Sequence, residues 1–316
     1  MLTERLKILV TGGAGFIGSH VAEAYSDDGH DVVVVDDLRT GSLAFVPDGV
    51  RFHRLAVESD EFLRLVERER FDVVNHHAAQ KSVPRSVADP AEDALVNVLA
   101  FVRLLQAAAQ SGVARVVFAS TGGALSGSPD GRPVSEDAPP SLASPYAIGK
   151  YAAERYLLWF AEQGAFVGIA LRYGNVYGPR QKPEGECGVV PIFLDDVQKG
   201  RPSRLYTYPD MPRGTSRDYV FVGDVVEANR LALISPESGV FNIGSGVETF
   251  TLDLYEAIAK VAGVRPGITR EPPRPGDVRR SCLDIARARR ILGWEPRTPL
   301  EEGLRRTLLA ERATHH

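Results

Sequence analysis

Apolar positions along the first 175 residues fall into two alternating textures. Short β-branched runs stand at 7–11 (KILVT), 31–35 (DVVVV), 50–53, 71–75 (FDVVN), 114–119 (ARVVFA) and 166–171 (FVGIAL). Between most of them lie longer stretches with helical spacing, at 16–28, 59–69, 91–111 and 145–163. Alternating strands and helices predict βαβ units and a doubly wound parallel sheet. Unbroken valine runs suit strands covered on both faces.

After Gly174 the pattern changes. Residues 178–188 and 201–217 are rich in Pro, Gly and Arg and read as long loops. A strand-like DYVFV (218–222), a helical stretch (223–235), a strand (239–244) and a helix (251–262) follow. The tail from 263 holds PPRPGD and a basic helical stretch ending at ILGW. The expected organisation is a nucleotide-binding domain of 1–175 plus about 218–262, with about 176–217 plus 263–316 building a smaller C-terminal domain. No internal repeat and no low-complexity segment is visible.

Composition narrows the classes. At 316 residues, 44% apolar and 25% charged, the chain is an ordinary globular sequence. A net charge of −4 gives no reason to expect nucleic acid or an anionic membrane as partner. Arginine greatly outnumbers lysine, which makes each lysine easier to weigh as a candidate. The two cysteines, Cys187 and Cys282, cannot build a disulfide framework or a four-ligand zinc site. The N-terminus carries Glu4 and runs straight into a strand without a signal-peptide core, and no apolar run reads as a membrane span. A cytoplasmic protein is expected.

The stretch ILVTGGAGFIGSHVAEAY (8–25) is strand, glycine turn and amphipathic helix. Two spacings fit: Gly13, Gly15 and Gly18 make G-x-G-x-x-G, and Gly12, Gly15 and Gly18 make G-x-x-G-x-x-G. Such glycines permit a tight turn, backbone contact with a pyrophosphate and close helix–strand packing, with phosphate on the helix N-terminus. Asp36 closes the next strand, where an acid bonds a ribose 2′-hydroxyl and repels a 2′-phosphate. The reading is a Rossmann-type α/β fold that binds NAD.

A second constellation opens the helix at 145–163. Ser144 is placed to cap it, Pro145 suits its first position, and Gly164 suits its stop. Tyr146 and Lys150, four residues apart, share a face. An ammonium near a phenol favours phenolate, which would make Tyr146 a usable general base. The spacing alone is common; its place after a strand-end loop in a dinucleotide-binding domain gives it weight.

TGGAGFIG, YAIGK, NVYGPRQ (175–181), RDYVFVGDV (217–225) and RPGD (274–277) occur in the order seen in extended short-chain dehydrogenases/reductases. The chain resembles the NAD-dependent epimerase/dehydratase family over about residues 5 to 310, and is most similar to its bacterial UDP-glucose 4-epimerase group. The resemblance implies NAD-dependent 4-epimerisation of a UDP-hexose through a 4-keto intermediate. It implies Tyr146, Lys150 and Thr121 as catalytic residues, and Phe16, Ile17, Lys81 and Asn97 as cofactor contacts beside the glycines and Asp36. It implies Ser120, Thr121, Asn175, Arg217, Arg274 and Asp277 on the substrate side. It also implies a homodimer through helices resembling 91–111 and 145–163.

The loop STGGALSG (120–127) separates branches of that family. Dehydratase relatives carry two acids after the threonine, whereas Gly122 and Gly123 follow here, so nothing in the loop can protonate a leaving hydroxyl. Ala56 replaces a common Asp near the adenine, Ser126 replaces a common Tyr, and 205–218 is longer than usual. Small residues at the sugar gate, Ser281 and Cys282, suggest room for N-acetylhexosamines. Arg180 and Lys182 could meet a sugar carboxylate and make the chain a uronate epimerase. A non-catalytic NAD-binding regulator is disfavoured because both Tyr146 and Lys150 are present. His76 and His77 read as packing residues. Arg279, Arg280, Arg289 and Arg290 read as surface charges.

Overall fold

The computed structural model describes residues 5–127, 131–183, 188–273 and 278–314. The chain begins with β1 (Lys7–Thr11), α1 (Phe16–Asp27), β2 (Asp31–Asp36), β3 (Arg51–Arg54), α2 (Asp60–Glu69) and β4 (Val73–His76). Two short helices, α3 (Val83–Ala88) and α4 (Pro90–Ala94), lead through a π-helical turn at Leu95–Leu99 into α5 (Ala100–Ser111). Then come β5 (Arg115–Thr121), the one-turn α6 (Gly122–Leu125), α7 (Pro145–Glu162), β6 (Val167–Tyr173) and β7 (Asn175–Tyr177). The remainder holds α8 (Val189–Gln198), β8 (Ser203–Tyr206), β9 (Ser216–Phe221), α9 (Val222–Ile234), β10 (Gly239–Ile243) and β11 (Glu248–Phe250). It ends with α10 (Thr251–Ala262), β12 (Ile268–Glu271) and α11 (Leu300–Thr314).

Seven strands form one parallel sheet in the order β10-β6-β5-β4-β1-β2-β3. The strand order reverses between β1 and β4, which is where doubly wound sheets open a ligand crevice at the carboxyl ends of their strands. One face is covered by α2, α5 and α7 around Leu65, Phe101, Leu104 and Leu157; α1 and α9 cover the other around Val21, Tyr25, Val225 and Leu233. The valines of β1 and β2 are buried, as strands covered on both faces require.

Outside this sheet, β9 pairs antiparallel with β11 and parallel with β7, and β8 pairs parallel with β12. A separate apolar cluster joins α8, α10 and α11 through Phe193, Leu194, Tyr255, Ile258, Leu304 and Leu308. The strand anticipated at 218–222 therefore pairs within the smaller sheet, with Val220 turned into the apolar cluster of β5, β6 and β10 and Tyr219 and Phe221 into the second cluster, while the helix at 251–262 packs with α8 and α11.

Three sequence expectations change. The stretch 201–217 is not wholly loop, since Ser203 and Leu205 point inward and Arg204 outward in β8. The basic helix before ILGW is short and ends in a π turn, Ala288–Leu292, stopped by Gly293 at φ +65°. Finally, Pro90–Ser111 forms a 22-residue helical run long and apolar enough to span a membrane by length and composition. Its apolar residues have another use: Val96, Phe101, Leu104 and Leu105 are buried against the sheet.

Candidate active site

The glycine turn assigns each glycine a task. Gly12 sits at φ +68°, and a Cβ there would lie 2.6 Å from the Ala78 nitrogen. A Cβ on Gly18 would lie 2.3 Å from the Gly12 carbonyl oxygen, so α1 can lie this close to the turn only without a side chain there. A Cβ on Gly13 would press on Val34, a packing role within the sheet. Gly15 differs from these, since its Cβ would meet only the Gly12 carbonyl, at 3.1 Å. It caps α1 without a side-chain hydrogen bond, so the helix presents backbone N–H groups at Phe16 and Ile17. The geometry favours the Gly12, Gly15, Gly18 spacing.

Asp36 ends β2 beside this turn. Its carboxylate accepts from the Ala14 nitrogen at 3.1 Å and the Leu38 nitrogen at 2.8 Å. Burial raises its pKa, and those two hydrogen bonds work against the rise. One bond per oxygen leaves acceptor capacity for a diol. An open glycine, an uncapped helix start and a partly satisfied acid fit the pyrophosphate and ribose of a dinucleotide.

Across the switch point, the loop after β4 is pinned by Asn97 from the π turn. Asn97 Oδ1 accepts from the Gln80 nitrogen at 3.0 Å, and its amide donates to the Gln80 carbonyl at 2.8 Å and to Asp93 at 2.9 Å. Asn97 is thus buried and structural as well as adjacent to the cleft, and Lys81 stands exposed on the loop it holds. Asp93 escaped sequence reasoning, although its position one helical turn before Asn97 could have found it. A Cβ on Gly149 would meet Asp93 at 3.2 Å, which explains the glycine between Tyr146 and Lys150.

Helix α7 starts as expected, with the Ser144 hydroxyl accepting from the Ala147 nitrogen at 3.2 Å and Pro145 in the first turn. Lys150 is buried; its ammonium donates to the Ala119 carbonyl at 3.0 Å and lies 4.7 Å from the Phe118 ring centroid. Burial pushes it down to about 8, with Asp93 and Glu154 opposing. Tyr146 does not follow expectation. Burial pushes its phenol up to about 12, a hydrogen bond with Thr121 counteracts this, and the Asp93 charge adds to the rise. The expected lowering by Lys150 is not among the influences on Tyr146.

At the end of β5, Thr121 Oγ1 accepts from the Ala124 nitrogen at 3.2 Å and starts α6. The loop thus brings Thr121 and Tyr146 together. Ser120 is a correction. Strand alternation turns it to the other side, where it is buried and donates to Glu154 at 2.5 Å. Glu154 in turn holds Arg172 through two bonds at 2.9 and 2.7 Å. Ser120 belongs to this buried cluster, not to the cleft.

Asn175 lies beside the catalytic turn, its Oδ1 3.3 Å from where a Gly123 Cβ would stand. Arg217 is half-buried in β9 and donates to the Ser216 carbonyl at 2.7 Å. Its neighbour Asp218, missed by sequence reasoning, accepts from Ser245, Gly246 and Leu283 and ties three segments together. Arg274 and Asp277 lie outside the described residues. Ser281 and Cys282 are both buried, and Leu283 packs onto Gly122.

Arg180 pairs with Glu23, and Lys182 lies over Phe45. Arg279 pairs with Asp210, and Arg280 holds Glu248 through two bonds at 2.7 and 2.6 Å, so neither is a free surface charge. His76 stacks beside Phe101 and Phe118, which also stack on each other, and His77 stacks on Tyr173. Burial and the Lys150 charge hold both imidazoles neutral, His77 at about 3. Among the described residues no group of three His, Cys, Asp or Glu could hold a metal. A separate cleft of about 590 Å³ beside β10, lined by Tyr151, Arg155 and Arg287, contains none of the predicted site residues.

A family model described as the NAD dependent epimerase/dehydratase family matches residues 8–244. The UDP-glucose 4-epimerase of Mycolicibacterium smegmatis is 43% identical over 96% of this chain and 97% of its own length. A crystal structure of UDP-glucose 4-epimerase with UDP-glucose from Thermotoga maritima superposes with a TM-score of 0.94 at 41% identity, covering 98% of this chain and all of that one. The Thermus thermophilus UDP-glucose 4-epimerase in complex with NAD gives a TM-score of 0.91 at 45% identity, covering 97% and 99%.

Proposed function

Since the chain belongs to the NAD-dependent epimerase/dehydratase family, we propose that it interconverts the two C4 epimers of a UDP-hexose, UDP-glucose and UDP-galactose, with NAD as its resident cofactor. The observation that carries this reading is the loop after β5. It joins a proton-exchanging pair, Thr121 and Tyr146, to a turn, Gly122–Leu125, that holds no acid. Such a site can take and return a proton at one hydroxyl but has nothing there to expel water.

Gly12, Gly15 and Gly18 shape the pyrophosphate cradle, with Phe16 and Ile17 supplying backbone N–H groups. Asp36 holds the adenosine ribose, and Asn97 fixes the loop bearing Lys81. When bound, oxidised NAD accepts and returns the hydride of carbon 4 and adds a positive charge that favours the Tyr146 phenolate. Tyr146 removes the 4-hydroxyl proton and gives it back on the other face, Thr121 orients that hydroxyl, and Lys150 holds positive charge beneath the pair. Asn175 and Arg217 hold the diphosphate, a task suited to amide and guanidinium donors, and Arg274 and Asp277 complete the nucleotide contacts.

A neutral hexose is favoured over a uronate because Arg180, one of the two cations weighed for a sugar carboxylate, is held by Glu23. The parallel-sheet unit carries the cofactor and the smaller sheets with α8, α10 and α11 carry the nucleotide sugar. Two copies pair through the exposed apolar residues of the π turn and α7, Leu95, Leu99, Ile148 and Trp159.

The test is incubation of purified protein, with no NAD added, with UDP-galactose, UDP-N-acetylgalactosamine and UDP-galacturonate, with products read by NMR. UDP-galactose should convert to UDP-glucose. Tyr146→Phe should lose about 10²–10⁴-fold in kcat while keeping its NAD. Wild-type turnover in that variant would remove Tyr146 as the base.

A further inference from the structure

We propose that Arg180 is a positioning residue that clamps the substrate-side segment 175–182 onto the cofactor helix α1, and that this clamp slows release of the bound dinucleotide. The proposal rests on the NAD-binding reading above.

Arg180 stands three residues beyond β7 at φ +68°, a left-handed conformation that a long side chain adopts at a cost. Its guanidinium grips both oxygens of Glu23 at 2.9 and 2.8 Å. A second nitrogen donates to Ser19 Oγ at 3.2 Å, and that hydroxyl donates onward to the Phe16 carbonyl at 3.1 Å. Glu23 and Ser19 are one turn apart on α1, so the clamp reaches the helix turn that begins at the pyrophosphate cradle. Next to it, the Pro179 carbonyl lies 2.9 Å from His20 Nε2.

The same segment also touches the ribose side. Arg180 and Lys182 lie 6.0 and 5.4 Å from the Phe45 ring centroid. Phe45 belongs to the loop that follows Asp36, and that loop is tied to the glycine turn by Ser42 donating to the Ala14 carbonyl at 2.9 Å. At its other end the segment begins with Asn175, beside the catalytic turn. One side chain therefore binds together the cofactor helix, the ribose loop and the strand facing the sugar.

Global stability does not account for the arrangement. Glu23 and Arg180 side chains are 41% and 23% exposed, and pairs this open contribute little to folding. A guanidinium that spends one nitrogen on Glu23 and another on Ser19 does fix geometry, which is what a groove shared by two structural units needs.

The full-length chain would be compared with Arg180→Lys, Arg180→Ala, Glu23→Ala and the exchanged pair E23R/R180E. The readouts are the NAD carried through purification, its release rate by exchange against a fluorescent NAD analogue, and the melting temperature. Release should quicken about tenfold in Arg180→Ala and Glu23→Ala, a loss typical of one charge-assisted contact. Arg180→Lys should fall between, and the exchanged pair should move back toward wild type with little change in melting. Should Arg180→Ala fail to fold, Glu23→Ala on the solvent side of α1 carries the test. Unchanged release in both single variants, with NAD retained by wild type, overturns the clamp alone. A wild-type chain that holds no dinucleotide overturns the NAD-binding reading and the clamp with it.

Discussion

Lys150 is a buried cation whose charge responds to pH near neutrality. Its ammonium has one carbonyl and one ring face for company, and burial pushes it down to about 8. In the unfolded chain it returns to about 10.4. Between those values the unfolded chain binds more protons than the folded one, so stability rises with pH, by at most about 1.4 kcal/mol per unit. Below about 8 both states hold the proton and the full cost of the buried charge remains. The buried phenols act in the opposite sense. Tyr146 is pushed up to about 12 and Tyr25, Tyr173 and Tyr219 higher, so above pH 10 the unfolded chain sheds protons first and stability falls. Urea denaturation of the dinucleotide-stripped protein should show a midpoint climbing from pH 8 to 10 and dropping beyond. Lys150→Met should flatten the climb and leave the drop. A variant that climbs as wild type does would show that the charge is not buried in solution.

At the scale of elements, β5 tests how far alternation governs the site. Ser120 and Thr121 are adjacent hydroxyls, and the sequence reading placed both on the substrate. A strand cannot aim neighbours at one ligand, so Ser120 joins Glu154 and Arg172 while Thr121 meets Tyr146. Ser120→Ala should cost about 1–2 kcal/mol of stability by removing a bond to a buried charge, with KM and kcat near wild type. Thr121→Ala should lower kcat about tenfold or more, in addition to the ~1 kcal/mol that loss of its cap on α6 costs, and Thr121→Ser should restore both. The reverse pattern would put Ser120 in the cleft. The glycine turn and the start of α7 were legible in the sequence because local rules fix them: positive φ at Gly12, a serine cap, a proline in the first turn. The π turn at Leu95–Leu99 was not legible, because one extra residue in a helix leaves the apolar spacing nearly intact. Yet that turn sets the direction of Asn97.

For the whole molecule, the parallel sheet could be read from the alternation of strand and helix, while the partners of later strands could not. DYVFV looks like another buried strand, and only contacts far along the chain, to Asn175–Tyr177 and Glu248–Phe250, place it in the smaller sheet. Assembly poses the same long-range question. Leu95 and Leu99 are one turn apart and 44% and 52% exposed, while Ile148 and Trp159, three turns apart on α7, are 51% and 53% exposed. The π turn packs against α7, which puts these exposed apolar residues on neighbouring helical faces. Stable association of two such faces requires burial of about 1,200–2,000 Å² in total, with large apolar side chains at the centre. The chain should therefore sediment at about twice its 34.4 kDa mass, and Leu99→Arg combined with Trp159→Glu should bring it to a monomer. Because Tyr146 and Lys150 begin the same helix as Trp159, the monomer should also lose part of its activity through a looser α7. A double variant that remains dimeric would move the interface to another face; a wild type that sediments as a monomer would remove it.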